Sequence, residues 1–342
     1  MTRETRKKAK KFEDYEKTKP IQLSLFELLE IADRDYSNSI ELYDFIPKYV
    51  WGKVERESGK YLQPLTRPFV HKGTPYEITI KPASVKGRDG VFRHFFPSKR
   101  EELVEDALRK LACEGGGLFL DDQAGVAFTL YRLRRELEER GHGYKLAEIK
   151  EALYILSETH LELTAGDGQI VMKANMFQTL GLHTQEDWKG TGQKTRAFAR
   201  FNPLVTKAIQ SMAFRRLNYA KAMSFTNVIA RQLYKRMSHH YKQASLTTTY
   251  DILLSTIIRD FGLTTYSEIR NNLRDVVKAL EEMKARNVIL NFKIEKLIDL
   301  QQRGKLVDAK FIITTTPEFN SEMIKANKPV PTKFLPHQSH KK

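Results

Sequence analysis

The sequence has almost no cysteine. Cys113 is the only cysteine among 342 residues, so the chain cannot form an intramolecular disulfide. Such a low cysteine content is typical of proteins in a reducing compartment, and we expect a cytoplasmic protein. No motif of a reactive thiol surrounds Cys113, which we interpret as a small residue of the core.

Long apolar runs are also missing. No uninterrupted apolar run approaches the ~18 residues that a membrane-spanning helix needs, so we expect no membrane partner. The basic residues 1–20 lack the apolar segment of a secretory signal. With 41% hydrophobic residues, the chain has the composition of a globular protein. Its length suits about two domains of ~100–200 residues each.

A recognisable catalytic or cofactor motif is absent as well. The segment GTGQKT at 190–195 does not have the spacing of a phosphate-binding loop, and no cysteine or histidine cluster has zinc spacing. His239, His240 and Tyr241 invite comparison with nicking nucleases, but adjacent helical residues point about 100° apart and cannot easily share one metal. We therefore expect no enzymatic activity, no catalytic residue, no cofactor and no metal.

Negative charge is absent from residues 188–250, which contain no aspartate or glutamate. The same span contains twelve basic residues, namely Lys189, Lys194, Arg196, Arg200, Lys207, Arg215, Arg216, Lys221, Arg231, Lys235, Arg236 and Lys242. An ordinary solvated surface mixes both signs, whereas phosphate binding favours one. With a net charge of +16, this pattern predicts a polyanionic partner such as DNA.

What is present is an ordered series of helix and strand patterns. Ser98 followed by Glu101 predicts a capping box at the start of a helix. Apolar spacing predicts helices over 125–141 and 145–158, and AGDG at 165–168 predicts a hairpin after them. Helix, tight turn, helix and hairpin form the order of a winged helix.

The same order returns in the second half. We predict a long basic helix from Thr226, helices over 250–262 and 266–287, and two strands over 288–298 and 305–317. The sequence therefore predicts an α+β fold with two tandem winged-helix domains. The chain from Pro317 is polar and proline-rich, and we expect a mobile tail there.

The predicted organisation has four parts. They are a flexible basic arm at 1–39, an N-terminal winged helix at 40–207 with dimerisation or accessory DNA contacts, a C-terminal DNA-binding winged helix at 208–325 and a mobile tail at 326–342.

The helix after the turn of the second winged helix has the side chains for reading DNA. Arginine and asparagine pair bidentately with guanine and adenine edges, and base contacts come from the N-terminal part of such a helix. We predict base contacts from Ser267, Arg270, Asn271, Arg274 and Lys278.

Phosphate contacts are predicted from basic residues elsewhere. They are Arg231, Lys235 and Arg236, along one side of the preceding helix, and Lys194 in a glycine-rich segment. The corresponding helix of the first winged helix differs, because Glu148 and Glu151 would repel phosphates. We expect that helix to bind DNA weakly or to contact a protein.

Two segments resemble a known family. Residues 198–209 (FARFNPLVTKAI) and 214–241 (FRRLNYAKAMSFTNVIARQLYKRMSHHY) resemble iteron-binding plasmid replication initiators of the RepA and RepE type. The match is closest over 231–241. The tandem winged-helix plan would cover roughly residues 40–320.

This resemblance implies a bacterial protein that binds repeated origin sites as a monomer through its C-terminal winged helix. It also implies melting of adjacent AT-rich DNA and recruitment of the host initiator DnaA and the replicative helicase. In many such proteins a dimer, in equilibrium with the active monomer, represses its own promoter and so contributes to copy control.

An apolar peptide in the basic arm suggests a further partner. Gln22, Leu23, Ser24, Leu25 and Phe26 match the pentapeptide by which bacterial proteins bind the β sliding clamp, and initiators of the TrfA type are similar in having such a motif. Leucine and phenylalanine would fill an apolar pocket, and the glutamine amide would form hydrogen bonds. The alternative is an ordinary amphipathic helix.

Two other functions stay open from sequence. A winged-helix transcriptional repressor would use the same folds without replication partners, and the clamp peptide argues against it. A nicking enzyme would require metal-dependent cleavage of single-stranded DNA and a covalent tyrosine adduct.

Overall fold

The computed structural model describes residues 35–52, 61–87, 89–120, 122–182, 197–211, 214–241, 244–245, 247–263, 269–299 and 305–326. The clamp-like peptide, Lys194 and Ser267 lie outside these residues. Within the described ranges, no helix is both long and apolar enough to cross a membrane.

The N-terminal half, residues 35–211, combines five helices and eleven strands among the described residues. The helices are α1 (Glu41–Phe45), α2 (Lys99–Leu111), α3 (Leu130–Glu139), α4 (Leu146–Glu158) and α5 (Pro203–Gln210). The strands are β1 (Tyr36–Ser39), β2 (Leu65–His71), β3 (Thr74–Lys81), β4 (Ala83–Lys86), β5 (Phe92–Phe95), β6 (Gly117–Leu120), β7 (Gln123–Phe128), β8 (His160–Ala165), β9 (Ile170–Asn175), β10 (Phe177–Leu182) and β11 (Ala197–Phe201).

Two four-stranded antiparallel sheets flank the helices of this half. Their strand orders are β10-β11-β7-β6 and β2-β3-β8-β9, and β4 pairs separately with β5. The predicted hairpin after α4 is therefore present as β8–β9, but it extends a sheet begun by β2 and β3. The sheet of the first winged helix is thus enlarged by β2 and β3, which precede its helices in the sequence.

The start of α2 follows the predicted capping box. The backbone N–H of Ser98 donates to Oε2 of Glu101 at 2.8 Å, which satisfies a donor that the helix itself cannot pair. The helix passes into a π-helical turn at Ala112–Gly116, where Gly115 has φ of 83°. Glycine adopts that backbone conformation without the strain that a Cβ would bring.

The prediction of one helix over 125–141 was wrong at its beginning. Residues up to Phe128 belong to β7, whose partner is β11, and α3 begins only at Leu130. A Cβ on Gly125 would lie 2.6 Å from the carbonyl oxygen of Ala199, so glycine permits the close approach of the two strands. Pairing with a strand distant in sequence decided the local structure.

The C-terminal half, residues 214–326, begins beside the start of the other half. Its elements are β12 (Arg215–Asn218), α6 (Tyr219–Ser224), α7 (Val228–His240), β13 (Tyr250–Leu253), α8 (Leu254–Asp260), α9 (Ile269–Ala285), β14 (Ile289–Asp299), β15 (Lys305–Thr315) and α10 (Pro317–Ala326). Strand β12 pairs with β1, and a second sheet has the order β13-β15-β14. The order helix, strand, two helices and hairpin from α7 to β15 is that of a winged helix.

Two details of this half differ from prediction. Residues 250–253 form a strand rather than the start of a helix, because they pair with β15. The chain after Pro317 continues as α10, and Phe319 and Met323 bury their side chains in the core. The expected tail is therefore replaced by a packed helix as far as Ala326.

Each half has its own cluster of buried apolar side chains. The first cluster draws its residues from 40 to 223 and the second from 217 to 323, so the two meet at α6. The predicted α+β class with two successive winged helices is confirmed by the element order.

Candidate nucleic-acid interface

Helix α9 separates an apolar face from a basic one. Val276 and Leu280 are fully buried, whereas Arg270, Arg274 and Lys278 are exposed. These three cations recur every four residues and so lie along one side of the helix. The exposed side is the one available to a groove of DNA.

Asn271 is half-buried at the edge of this basic face. The structure therefore groups Arg270, Arg274 and Lys278, with Asn271 beside them. Lys278 lies 3.7 Å from Asp275, but its side chain is 64% exposed, so this pair is weak and leaves the ammonium group available.

The hairpin β14–β15 adds cations that the sequence analysis did not single out. Lys293, Lys296 and Lys305 are exposed on it. A wing commonly lies along the DNA backbone beside the recognition helix, where lysine pairs with phosphate as a point charge. Alternation along a strand places Lys293 and Lys296 on opposite faces, so their joint exposure shows that both faces of this part of β14 are open to solvent.

Helix α8, which precedes α9, is anchored on the N-terminal half of the chain. The indole Nε1 of Trp51 donates to the carbonyl oxygen of Phe261 at 2.7 Å, directly after α8. The backbone N–H of Val70, in β2, donates to Oδ1 of Asp260 at 3.4 Å. Contacts from the N-terminal half therefore hold α8, against which α9 packs.

The prediction that Arg231, Lys235 and Arg236 hold DNA phosphates does not agree with their positions. Arg231 is 0% and Lys235 6% exposed. Arg236 donates to Oδ2 of Asp260 at 2.9 Å, and its side chain is only 11% exposed. These residues of α7 face the protein interior, and we correct the prediction accordingly.

Helix α7 meets α2 through a buried cluster of charges. We call Asp44, Glu102, Asp106, Arg109, Arg231 and Lys235 the ion cluster. Oε2 of Glu102 accepts from Nε of Arg231 at 3.0 Å and from Nη2 at 2.6 Å. Oε1 accepts from Nζ of Lys235 at 3.0 Å and from Nε2 of Gln232 at 2.6 Å.

The ion cluster continues into the N-terminal half. Asp106 accepts from Lys235 at 2.6 Å and, through its other oxygen, from Arg109 at 2.7 Å. Arg109 also donates to Asp44 at 2.6 Å. Each carboxylate of the ion cluster therefore pairs with at least one cation, as the burial of charge requires.

The electrostatics of Glu102 reflect this pairing. Burial alone would raise the pKa of its carboxyl, but the charges of Arg231 and Lys235 outweigh burial and lower that pKa from 4.5 to about 2. Glu102 is therefore an anion throughout the physiological range, and its two cations stay neutralised.

The acid-free span of residues 188–250 acquires its negative partners from elsewhere in the chain. Glu102 and Asp106 lie in α2, more than a hundred residues before the cations that they pair with. Acids from another part of the sequence thus neutralise some of the basic residues of this span in the folded protein. The exposed cations of α9 and of the β14–β15 hairpin, unlike those of α7, remain accessible to solvent.

Helix α4 of the first winged helix is less acidic than its sequence suggests. Glu148 accepts from the backbone N–H of Lys145 at 2.7 Å, and Glu151 pairs with Arg100 at 2.8 Å. Lys145 and Lys150 are exposed. The pairing with Arg100 offsets the charge of Glu151, whereas Glu148 keeps its negative charge because a backbone N–H carries none.

The pair of histidines at the end of α7 diverges, as the helical geometry predicts. His239 contacts Ser39 through its Nε2 and lies edge-on to Phe45 at 5.9 Å, whereas the ring of His240 packs more closely against that of Phe45 at 4.5 Å. Tyr241 is buried and its hydroxyl donates to the carbonyl oxygen of Thr248 at 2.6 Å. The hydroxyl is thus engaged and is not positioned as an exposed nucleophile.

Comparisons with known proteins reveal distant likenesses. No family model matches the chain, and no curated protein matches it. A selenomethionine structure of domains 2 and 3 of RctB has 11% identity and a TM-score of 0.49, and the match covers 80% of this chain and 96% of that one. A second structure of RctB domains 2–3 has 12% identity and a TM-score of 0.45, covering 78% and 95%.

A further match is the Pi initiator protein in complex with iteron DNA. It has 12% identity and a TM-score of 0.43, and the match covers 64% of this chain and 91% of that one. That protein belongs to the class that residues 198–241 resemble in sequence.

The exposed arginines of α9 lead to a first prediction. Replacement of Arg274 by alanine should weaken specific DNA binding by ~1–3 kcal/mol and relax base choice at one position. The reason is the loss of a bidentate contact to a guanine edge. The measurement is the affinity of Arg274→Ala for the DNA site that the wild-type chain prefers and for a scrambled duplex, at several salt concentrations.

Arg286→Ala provides the matched control. Arg286 is also exposed but follows the other end of α9, about 18 Å further along the helix axis. Arg286→Ala should lower the affinity for specific and for non-specific DNA by similar small factors. If Arg274→Ala behaves in the same way, α9 does not read bases through Arg274.

The ion cluster leads to a second prediction. Glu102→Gln should lower the free energy of unfolding by ~3–5 kcal/mol, because it leaves the buried Arg231 without its anion and Lys235 with Asp106 alone. The exposed Glu138, paired with Arg134 on the surface, provides the control, and Glu138→Gln should cost ~1 kcal/mol or less. Denaturant unfolding at neutral pH measures both.

The pH dependence follows from the lowered pKa of Glu102. The stabilisation is present above its unfolded-state value near 4.5 and is lost as the pH falls towards about 2. The unfolding free energy of the wild-type chain should thus decrease more over this interval than that of Glu102→Gln. Parallel pH curves for the two proteins would contradict the assignment.

Proposed function

We propose that this chain is a non-enzymatic, sequence-specific DNA-binding initiator of plasmid replication, acting on repeated origin sites. The observation that carries this proposal is the exposed basic face of α9 beside a hairpin with exposed lysines. In a winged helix those two elements meet the major groove and the neighbouring backbone. The resemblance of residues 198–241 to iteron-binding initiators selects replication among the possible uses of this fold.

The side chains of α9 fit direct reading of bases. Arg270 and Arg274 have the planar fork that matches O6 and N7 of guanine, and Asn271 can pair with N6 and N7 of adenine. Both arginines lie in the first two turns of the helix, where base contacts arise. Lys278 and the lysines of the wing would neutralise phosphates and add a salt-dependent share of affinity.

The wider replication role extends this proposal. Opening of AT-rich DNA, recruitment of DnaA and helicase, and autorepression by a dimer are implied by the family resemblance. The N-terminal half would supply the protein contacts of such a dimer. Arm residues 22–26 would add the β sliding clamp as a host partner.

Selection of binding sites from random duplex DNA tests the proposal. The purified full chain should recover one directly repeated motif, with repeats spaced near whole helical turns of ~10.5 base pairs. A single palindrome would instead identify a dimeric transcriptional repressor. Recovery of no motif would mean that the positive charge serves non-specific binding, and the initiator proposal would fail.

The clamp peptide leads to its own prediction. Leu25→Ala combined with Phe26→Ala should abolish binding to the purified β sliding clamp, because it empties the apolar pocket contacts. DNA binding and folding should be unchanged. Surface plasmon resonance with immobilised clamp measures the first, and a duplex-binding assay measures the second.

Leu28→Ala combined with Leu29→Ala provides a control of equal apolar loss outside the pentapeptide. It should retain clamp binding. If both double variants reduce folding stability and neither affects the clamp selectively, residues 21–30 belong to an ordinary amphipathic helix.

A further inference from the structure

Three side chains with metal-ligating atoms meet where the two halves of the chain touch. Glu41 lies in the first turn of α1, His71 ends β2, and His240 ends α7. One ligating atom from each lies within 4.8 Å of those of the other two. The three residues are far apart in sequence, so only the packing of α7 on the N-terminal half brings them together.

The two imidazoles have unused ring nitrogens at this place. Nδ1 of His71 and Nε2 of His240 are buried, and neither has a hydrogen-bond partner among the described residues. Buried polar atoms are ordinarily paired, and each exception calls for a physical explanation. Two histidines with unpaired ring nitrogens near one carboxylate have the donor chemistry of a transition-metal site.

We propose that Glu41, His71 and His240 form a site for Zn²⁺ or a similar divalent transition metal that bridges the two halves of the chain. Imidazole nitrogen and carboxylate oxygen are both ordinary zinc ligands, and three protein ligands with a water complete a tetrahedral site. Two nitrogen donors disfavour Mg²⁺ and Ca²⁺, which select oxygen. This site is independent of the DNA-binding proposal and revises the sequence-based expectation of no metal.

The geometry needs only small adjustments to close around an ion. Donor atoms of a tetrahedral zinc site lie about 3.3 Å apart, so the side chains must approach one another by rotation. Glu41 is the most adjustable of the three, because it is only partly buried. Its present partner, Lys72, lies at 2.9 Å with a side chain that is 60% exposed, and such a surface pair yields readily to a metal.

The surroundings order the imidazoles and include several cations. The ring of Phe45 packs against His240 and, at 5.4 Å, against His71, which restricts both imidazoles. Arg236 and Lys72 interact electrostatically with both histidines, and Asp260 pairs with Arg236 at 2.9 Å. Arg215 interacts with Glu41, so a bound dication would share that carboxylate with a neighbouring positive charge.

Metal binding by the full chain tests this site. After chelator treatment, the wild-type protein should bind one Zn²⁺ per chain, and Co²⁺ in its place should show the visible absorption of a four-coordinate ion. Glu41→Gln, His71→Gln and His240→Gln should each weaken Zn²⁺ affinity ~10-fold or more, since each removes a ligand. Isothermal titration calorimetry measures the affinities.

His94→Gln is the matched control. His94 is also in the N-terminal half, where its ring meets that of Tyr61 edge to face at 5.3 Å, and it is not one of the three clustered ligands. Its loss should leave Zn²⁺ affinity unchanged, and His337 and His340 remain in every variant as a common background. Circular dichroism without metal checks folding, and the partly exposed Glu41 keeps the test decisive if a histidine variant unfolds.

Two outcomes would overturn the proposal. One is the absence of stoichiometric Zn²⁺ binding by the wild-type chain. The other is equal affinity in His94→Gln and in all ligand variants that fold, which would place the ion elsewhere. A rise in the melting temperature with Zn²⁺ that is lost in Glu41→Gln would support the site and its bridging position.

Discussion

The arrangement of this protein depends on the buried pairing of Glu102 with Arg231 and Lys235. Moving such charges out of water is expensive, and their mutual attraction offsets that cost only with close, multiple contacts. Glu102 meets this condition because its two oxygens accept from both cations and from Gln232. The pairing is geometrically demanding, so it favours one placement of α7 on α2 over others of similar apolar area.

That placement has consequences for the elements at both ends of α7. At its carboxyl end His240 reaches Phe45 and approaches His71 of the other half. Helix α7 also packs against α9. The contact between α7 and the N-terminal half therefore helps to fix the direction in which the basic face of α9 points. Trp51 adds a second constraint by holding the chain after α8. The two winged helices are thus mechanically connected rather than freely linked.

Charge serves two different purposes in the same molecule. Basic residues of α7 neutralise acids of α2 inside the protein, whereas those of α9 and the wing face solvent. Sequence spacing does not distinguish these cases, since both helices are amphipathic and basic. Burial does, because an arginine surrounded by carboxylates has no charge left to attract phosphate. The net charge of +16 therefore overstates the charge of any single binding face.

The sequence by itself determined the two helix–turn–helix–hairpin series, the capping box at Ser98 and the basic face of α9, because these depend on local periodicity and short-range hydrogen bonds. Tertiary structure alone decided that residues 125–128 and 250–253 are strands, since their partners lie far along the chain. It also decided that Arg231 and Lys235 are interior cations and that Glu41, His71 and His240 are neighbours. Long-range pairing leaves no periodic signal in a single sequence.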